Sequence, residues 1–341
     1  MIMASRNGPP SSSTPTRNYF RARMFSTCST DIERCFFGKS SANSRQQEPR
    51  IMSPLAFARA YWRHSRDRRP DSHVAPYRQF WDPSEDEKIK LAFRYKMAGD
   101  GFATTENEKR ILSWRDVYKG ERAFLIGNGP SLNKLDMKKL ASERTIGVNS
   151  IYLNFDNMGF LPNHYVIEDR FVAEDRADEV NAMRGPVKWF GNYLNYCLKG
   201  DDVNWINVRM RYDEHENFPF FSTNFARQAW TGGSVTYVCM QLAYWLGVKT
   251  LYLIGFDHHY VIPDDAEVEG LDITSQSDDP NHFHPDYFGK GYRWHDPKVD
   301  RMELGYRKAG RFFEMDGRKI YNATAGGKLE CFERVDYDSL F

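Results

Sequence analysis

An α/β fold of Rossmann-like type, with a mostly parallel sheet and helices on both faces, is predicted by three observations. Short apolar runs recur between Arg122 and Thr324, each ending on polar or glycine residues. Helix-patterned stretches lie between several of them, the alternation expected of a parallel sheet. Two glycine-bearing polar segments, Gly127-Asn128-Gly129-Pro130-Ser131 and Thr231-Gly232-Gly233-Ser234, each precede a helix candidate. The same reading adds an N-terminal helical extension and a lid loop in the C-terminal half.

Three regions follow: residues 1–50, a helical extension over 51–120, and a Rossmann-like domain over 121–341 with a lid at about 258–296. Residues 1–50 are rich in Ser, Arg, Asn and Pro and read as disordered; either organelle targeting or an upstream start ahead of Met52 would explain them. Residues 51–69 could form a basic amphipathic helix that packs on the domain or touches an anionic membrane surface. Residues 84–120 are helical in pattern, with Ser84 as N-cap and a break at Gly99-Asp100-Gly101.

Leu125 and Ile126 read as a buried strand leading into the first glycine turn, with Pro130 suited to the first turn of a helix over 132–141. Strand, turn and helix N-terminus would together present backbone N–H groups to a phosphate. The turn lacks the lysine of a P-loop and the third glycine of the dinucleotide fingerprint. Strands are expected at 145–150, 164–169, 187–191 and 203–208. Asn128, Asn149, Ser150, Glu168 and Asp169 then fall at carboxyl ends, where such sheets bind ligands.

Thr231–Ser234 opens the most regular helix, with Val235, Val238, Leu242 and Leu246 on one face and Gly247 at its end. A buried strand runs into Gly255-Phe256-Asp257. The segment up to Asp296 has no clear period but holds five histidines, and its aromatic residues argue for an ordered lid. His282, His284 and Asp286 alternate and could share a face as metal ligands, although polar lid residues explain them more simply. A helix from Asp296-Pro297, with Met302, Tyr306, Ala309 and Phe313 as its stripe, and a strand ending on Asn322-Ala323-Thr324 close the pattern.

Lys and Arg total 47 against 46 Asp and Glu, which argues against a general nucleic-acid binder. The five cysteines have no metal-ligand spacing, so a reducing, cytoplasmic setting is the simplest expectation, with peripheral membrane contact through 51–69 as the variant. No stretch approaches the length of a membrane span.

The order of the glycine motif, Val148-Asn149, Thr231-Gly232-Gly233, the strand ending at Asp257, His295 with Asp300, and Tyr321–Thr324 resembles the bacterial sialyltransferases of glycosyltransferase family 42. It also resembles the wider MptE-like group, related to the archaeal 6-hydroxymethylpterin diphosphokinase. The resemblance covers roughly Arg122–Thr324. It implies that Gly127, Asn128, Gly129, Pro130, Ser131, Asn149, Ser150, Thr231, Gly232, Gly233, Asp257 and Asn322 surround a nucleotide. It also implies that His295, five residues before Asp300, is the general base acting on an acceptor hydroxyl. Where the sialyltransferase pattern has a phosphate-stabilising tyrosine, this chain has His259; Tyr260, Tyr287 or Tyr292 could substitute, and Tyr292 and His259 join His295 as catalytic candidates.

The function implied is transfer from a CMP-activated acid sugar or similar nucleotide sugar to a hydroxyl of a glycan or small molecule. The alternative is pyrophosphate transfer from ATP to a hydroxymethylpterin-type alcohol, with Mg²⁺ held by Glu168 and Asp169.

Overall fold

The computed structural model describes residues 50–51, 84–210 and 218–341. The expectations for residues 1–49 and 52–83, including the amphipathic helix, lie outside the described residues.

Ser84 caps helix α1 (Glu85–Gly99) through a capping box, its hydroxyl accepting from Glu87 N while the Glu87 carboxylate accepts from Ser84 N. Helix α2 (Glu106–Ser113) follows the break at Asp100-Gly101, where Gly101 takes φ +86°. The buried Glu108 carboxylate joins the two helices by accepting from Arg94, Thr104 and Thr105.

The strands are β1 (Arg122–Ile126), β2 (Arg144–Val148), β3 (His164–Ile167), β4 (Val187–Gly191) and β5 (Asn204–Ile206), then β6 (Thr250–Ile254). Helices α3 (Arg170–Asp175) and α4 (Ala177–Ala182) follow β3, and helix α5 (Val235–Trp245) precedes β6. Beyond β6 come three short strands, β7 (Glu267–Glu269), β8 (Asp272–Thr274) and β9 (Arg293–His295). Helix α6 (Val299–Met315), β10 (Lys319–Asn322) and β11 (Glu333–Arg334) end the chain.

Eight strands make one sheet in the order β11-β10-β6-β1-β2-β3-β4-β5, and every pairing in it is parallel. The chain moves outward from β1 to β5, then returns to lay β6 on the other side of β1. The switch point is therefore between β1 and β6. Buried strands account for the apolar runs, since each presents both faces to packed side chains. Across one face Phe124, Tyr252 and Tyr321 stack from strand to strand, and Phe341 closes over Phe124.

At the β5 edge the helical extension supplies the missing partners. Asn107 accepts from Trp205 N at 2.8 Å and donates to Trp205 O at 2.9 Å, and Tyr95 donates to the same carbonyl. This side-chain pairing covers an edge that would otherwise expose free backbone groups.

Two expectations need correction. In place of a helix over 132–141 the chain makes two short 3₁₀ turns, Pro130–Lys134 and Met137–Leu140. Leu135 is extended, and Asp136 caps the second turn through its side chain, so the amphipathic spacing was satisfied without continuous helix. The lid has secondary structure of its own, since β7, β8 and β9 form an antiparallel sheet. Its strands of three residues are too short for a recognisable alternation.

His164 on β3 is fully buried, accepting at Nδ1 from Trp189 Nε1 at 3.0 Å and bonding Tyr118 Oη through Nε2 at 2.9 Å. Burial, helped by the Arg144 charge, depresses its pKa to about 3. Above the unfolded value near 6.5 both states are neutral and stability is complete. As pH falls from there toward 3, the unfolded chain binds a proton that the native ring refuses, costing about 1.4 kcal/mol per pH unit. Urea midpoints should therefore drop between pH 6.5 and 4, and drop less in a His164→Gln variant, whose carboxamide can serve both partners.

Candidate active site

The two central turns touch. Gly127 N donates to Ile254 O and Gly129 N to Gly255 O, both at 2.8 Å. A Cβ on Gly127 would lie 2.5 Å from Gly255 O, and one on Gly129 would lie 1.9 Å from Asp257 Oδ2. These glycines are required by backbone approach. Ser131 meets the same carboxylate oxygen, through Oγ at 2.6 Å and through N at 3.3 Å. The donors that a phosphate would have used at this turn are thus committed to β6 and to Asp257, and the 3₁₀ turn behind them is short.

The helix start that does face the site is the second one. Ser234 caps α5 by accepting from Thr236 N at 3.1 Å, and Ser234, Val235 and Thr236 line a cleft of about 620 Å³ at the carboxyl ends of β1, β2 and β6. Thr231, Gly232 and Gly233, which precede them in the chain, are not among the residues that line it. Gly232 has φ +53° with the Tyr237 ring where a Cβ would stand, and Gly233 has φ +92° beside Arg301.

The opposite wall holds Gly127, Asn128, Gly129 and Asn149, with Asp257, His258 and His259 at the end of β6. Asn128 is 8% exposed; its Nδ2 donates to Val148 O at 3.3 Å, leaving Oδ1 without a partner. Asn149 has φ +50° and an equally unpartnered Oδ1. Two buried acceptors without protein donors are costly unless water or the hydroxyl or amino groups of a ligand complete them. His258, also left-handed at φ +53°, stands 3.4 Å from Glu303, with burial pushing its pKa down. His259 lies against Lys328.

The lid is fastened to the glycine turn. Phe283 N donates to Asn128 O at 2.9 Å, and Asn133 Nδ2 donates to Phe283 O at 3.0 Å. His282, next in the chain, lines the cleft with Tyr287. His284 and Asp286 are exposed or partly so, and His284 accepts from Asp286 N, so the alternating residues do not gather as a metal set. Among the described residues no group of three or more His, Cys, Asp or Glu is placed to hold a metal ion.

His295 lies on β9 beside α3, outside the lining of the cleft. Its Nδ1 donates to Asp169 at 2.7 Å, Nε2 is 3.5 Å from Asp272, and the ring stacks on Phe171 at 4.4 Å. Burial opposes the imidazolium, but the hydrogen bond and charge of Asp169 outweigh it and raise the His295 pKa. Asp169 also caps α3 through Phe171 N and Val172 N. Burial works against its ionised form, yet these partners hold its pKa low. Burial and then the Asp169 charge push the neighbouring Glu168 up to about 8. Asp169 is thus already committed to the α3 cap and to the His295 imidazole. Tyr292 lies under the Arg176 guanidinium at 3.7 Å.

Asn322 is buried and occupied by Leu329 O and Thr324 N, Ser150 is buried behind Asn149, and Pro130 is exposed. Sequence reading named the helix start at Ser234 and Val235 but did not single out Asp279, Thr236 or the Asp257–Ser131 contact. The Ser234 cap was legible in the pattern; the others pair residues far apart in the chain or within an irregular loop.

An all-parallel sheet with a cleft at its switch point is the arrangement in which open α/β sheets bind ligands, and comparison by sequence supports a transferase. Residues 103–262 match the family described as 6-hydroxymethylpterin diphosphokinase MptE-like. The structure of the MAf glycosyltransferase from Magnetospirillum magneticum AMB-1 is similar at 15% identity and a TM-score of 0.40, over 74% of this chain and 39% of that one. The chain thus spans well under half the length of that protein. No curated protein matches. Among the described residues no helix is long and apolar enough to cross a membrane.

Gly129→Ala should cost several kcal/mol by forcing apart Asp257 and the β6 turn, whereas Ser131→Ala should cost about 1 kcal/mol; chemical denaturation separates the two. By NMR, His295 should titrate above 6.5 and return toward it in Asp169→Asn. Because its folded pKa is raised, the stability from this pair is complete below the unfolded value and is lost as pH rises through the folded one.

Proposed function

We propose that the protein is a nucleotide-sugar-dependent glycosyltransferase that holds its donor in the cleft between the glycine turn and the N-terminus of α5. The observation that carries this reading is a pair of buried, unpartnered carboxamide oxygens on Asn128 and Asn149, residues that line the same cleft as the capped, positively polarised start of an 11-residue helix. Ribose or base donors would satisfy the carboxamides, and the phosphate would lie toward Ser234–Thr236. A CMP-activated acid sugar is the donor that the resemblance suggests, because the two asparagines and the segment before α5 match the positions through which family 42 sialyltransferases contact CMP.

Charge on the leaving phosphate would be met by α5 and by the imidazoles of His258 and His259, a form of electrostatic catalysis. Asp257 is the one carboxylate on the cleft wall and is already hydrogen-bonded to Ser131, which supports transfer without a metal bridge.

A second reading, pyrophosphate transfer from ATP to a hydroxymethylpterin-type alcohol, is favoured by the description of the matched family. Thermal shift with CMP, CDP, UDP, GDP, ADP and ATP, each with and without Mg²⁺, separates the two. The glycosyltransferase should be stabilised by CMP or another sugar-nucleotide product without metal, and should slowly hydrolyse the matching nucleotide sugar. Stabilisation by ATP with Mg²⁺ alone, together with AMP release in the presence of the pterin alcohol, would replace the first reading by the second.

A further inference from the structure

The lid carries a second imidazole–carboxylate pair, and it differs from the first in where the free nitrogen goes. His282 Nδ1 donates to Asp279 Oδ2 at 2.6 Å, which leaves Nε2 unprotonated in the neutral ring. The ring lies flat on Tyr287, with centroids 3.9 Å apart and planes 8° from parallel. Asp279 has a side chain 2% exposed and is fixed by Asn281 N at 2.7 Å and Phe288 N at 3.0 Å. Asn281 in turn bonds Val261 N and O, tying the pair to the segment after β6. Phe283 N on Asn128 O ties it to the glycine turn.

Resting on the glycosyl-transfer reading of the cleft, we propose that His282, oriented by Asp279, is the general base for that transfer. Both ring nitrogens of His295 face carboxylates, Asp169 and Asp272, and its ring is outside the cleft lining. That environment holds an imidazolium and clasps β8 and β9 to α3. His282 has one carboxylate, behind it, and a side chain 13% exposed on the cleft wall.

In the step itself, Nε2 of His282 takes the proton from the acceptor hydroxyl as that oxygen bonds to the anomeric carbon. The bond from that carbon to the nucleotide phosphate breaks with its electron pair on the phosphate oxygen. The imidazolium, stabilised by Asp279, then releases its proton to solvent. Asp279 is a positioning residue, because it acts through the ring. The other ionisable groups on the cleft wall are Asp257, His258, His259, Tyr260, Tyr287 and Tyr306.

The test uses the full chain with the nucleotide sugar that wild type hydrolyses, and compares His282→Gln, Asp279→Asn and His295→Gln across pH. His282→Gln should lower kcat about 100-fold or more and remove the acid limb of the profile, with KM for the donor and the nucleotide thermal shift retained. Asp279→Asn should move that limb to lower pH, since the imidazolium loses its counter-charge. His295→Gln should keep the limb. An unchanged limb in His282→Gln, or its loss in His295→Gln, would overturn the assignment while leaving glycosyl transfer standing. If no donor is turned over by wild type, glycosyl transfer fails first and the assignment falls with it. Should His282→Gln not fold, the limb shift in Asp279→Asn decides.

Discussion

The close approach of the β1 and β6 turns is the constraint on which the site depends. Two parallel neighbours whose chains diverge at their carboxyl ends leave a crevice only if the backbones can cross without side chains between them. Gly127 and Gly129 permit this against Gly255 and Asp257, and Asp257 then satisfies Ser131. With the turns fixed, Asn128 is buried with one oxygen unpaired, and its carbonyl becomes the anchor for the lid through Phe283. A carboxylate of the protein takes the Ser131 N–H and hydroxyl that a phosphate was expected to use, and the proposed donor therefore has its phosphate toward α5.

Electrostatics in the lid follow from how many carboxylates each imidazole meets. His295 sits between Asp169 and Asp272 and stacks on Phe171, which favours the charged ring and couples the lid to the start of α3. His282 meets Asp279 alone and lines the cleft. Glu168, next to Asp169 but deep in the fold, is driven toward its neutral form. Burial opposes ionisation of both adjacent acids, and the hydrogen bonds from His295, Phe171 N and Val172 N are what hold the Asp169 pKa low.

Outside the site, polar side chains complete what the backbone leaves open. Asn107 and Tyr95 cover the β5 edge, and the buried Glu108 with Arg94 and two threonines holds α1 to α2 beneath them. The helical extension is thus a lateral cover for the sheet, continuous with it through side-chain rather than strand pairing.

Much of the fold was legible because buried parallel strands need apolar runs and helices need caps and spaced apolar residues. The strands of the large sheet from Arg122 to Asn322, the Ser84 cap, the start of α5 and the stripe of α6 are local properties, and each stands where its residues predicted. The site was legible in part: the glycine motif, Asn128, Asn149, Asp257 and His259 do meet on one cleft. What the tertiary structure decided was which groups remain free to act. Whether a glycine turn keeps its N–H donors, whether Asp169 or Asp279 sits behind a histidine, and which imidazole lines the cleft depend on partners up to 126 residues away. A sequence states which groups are present; only packing states which of them are already spent.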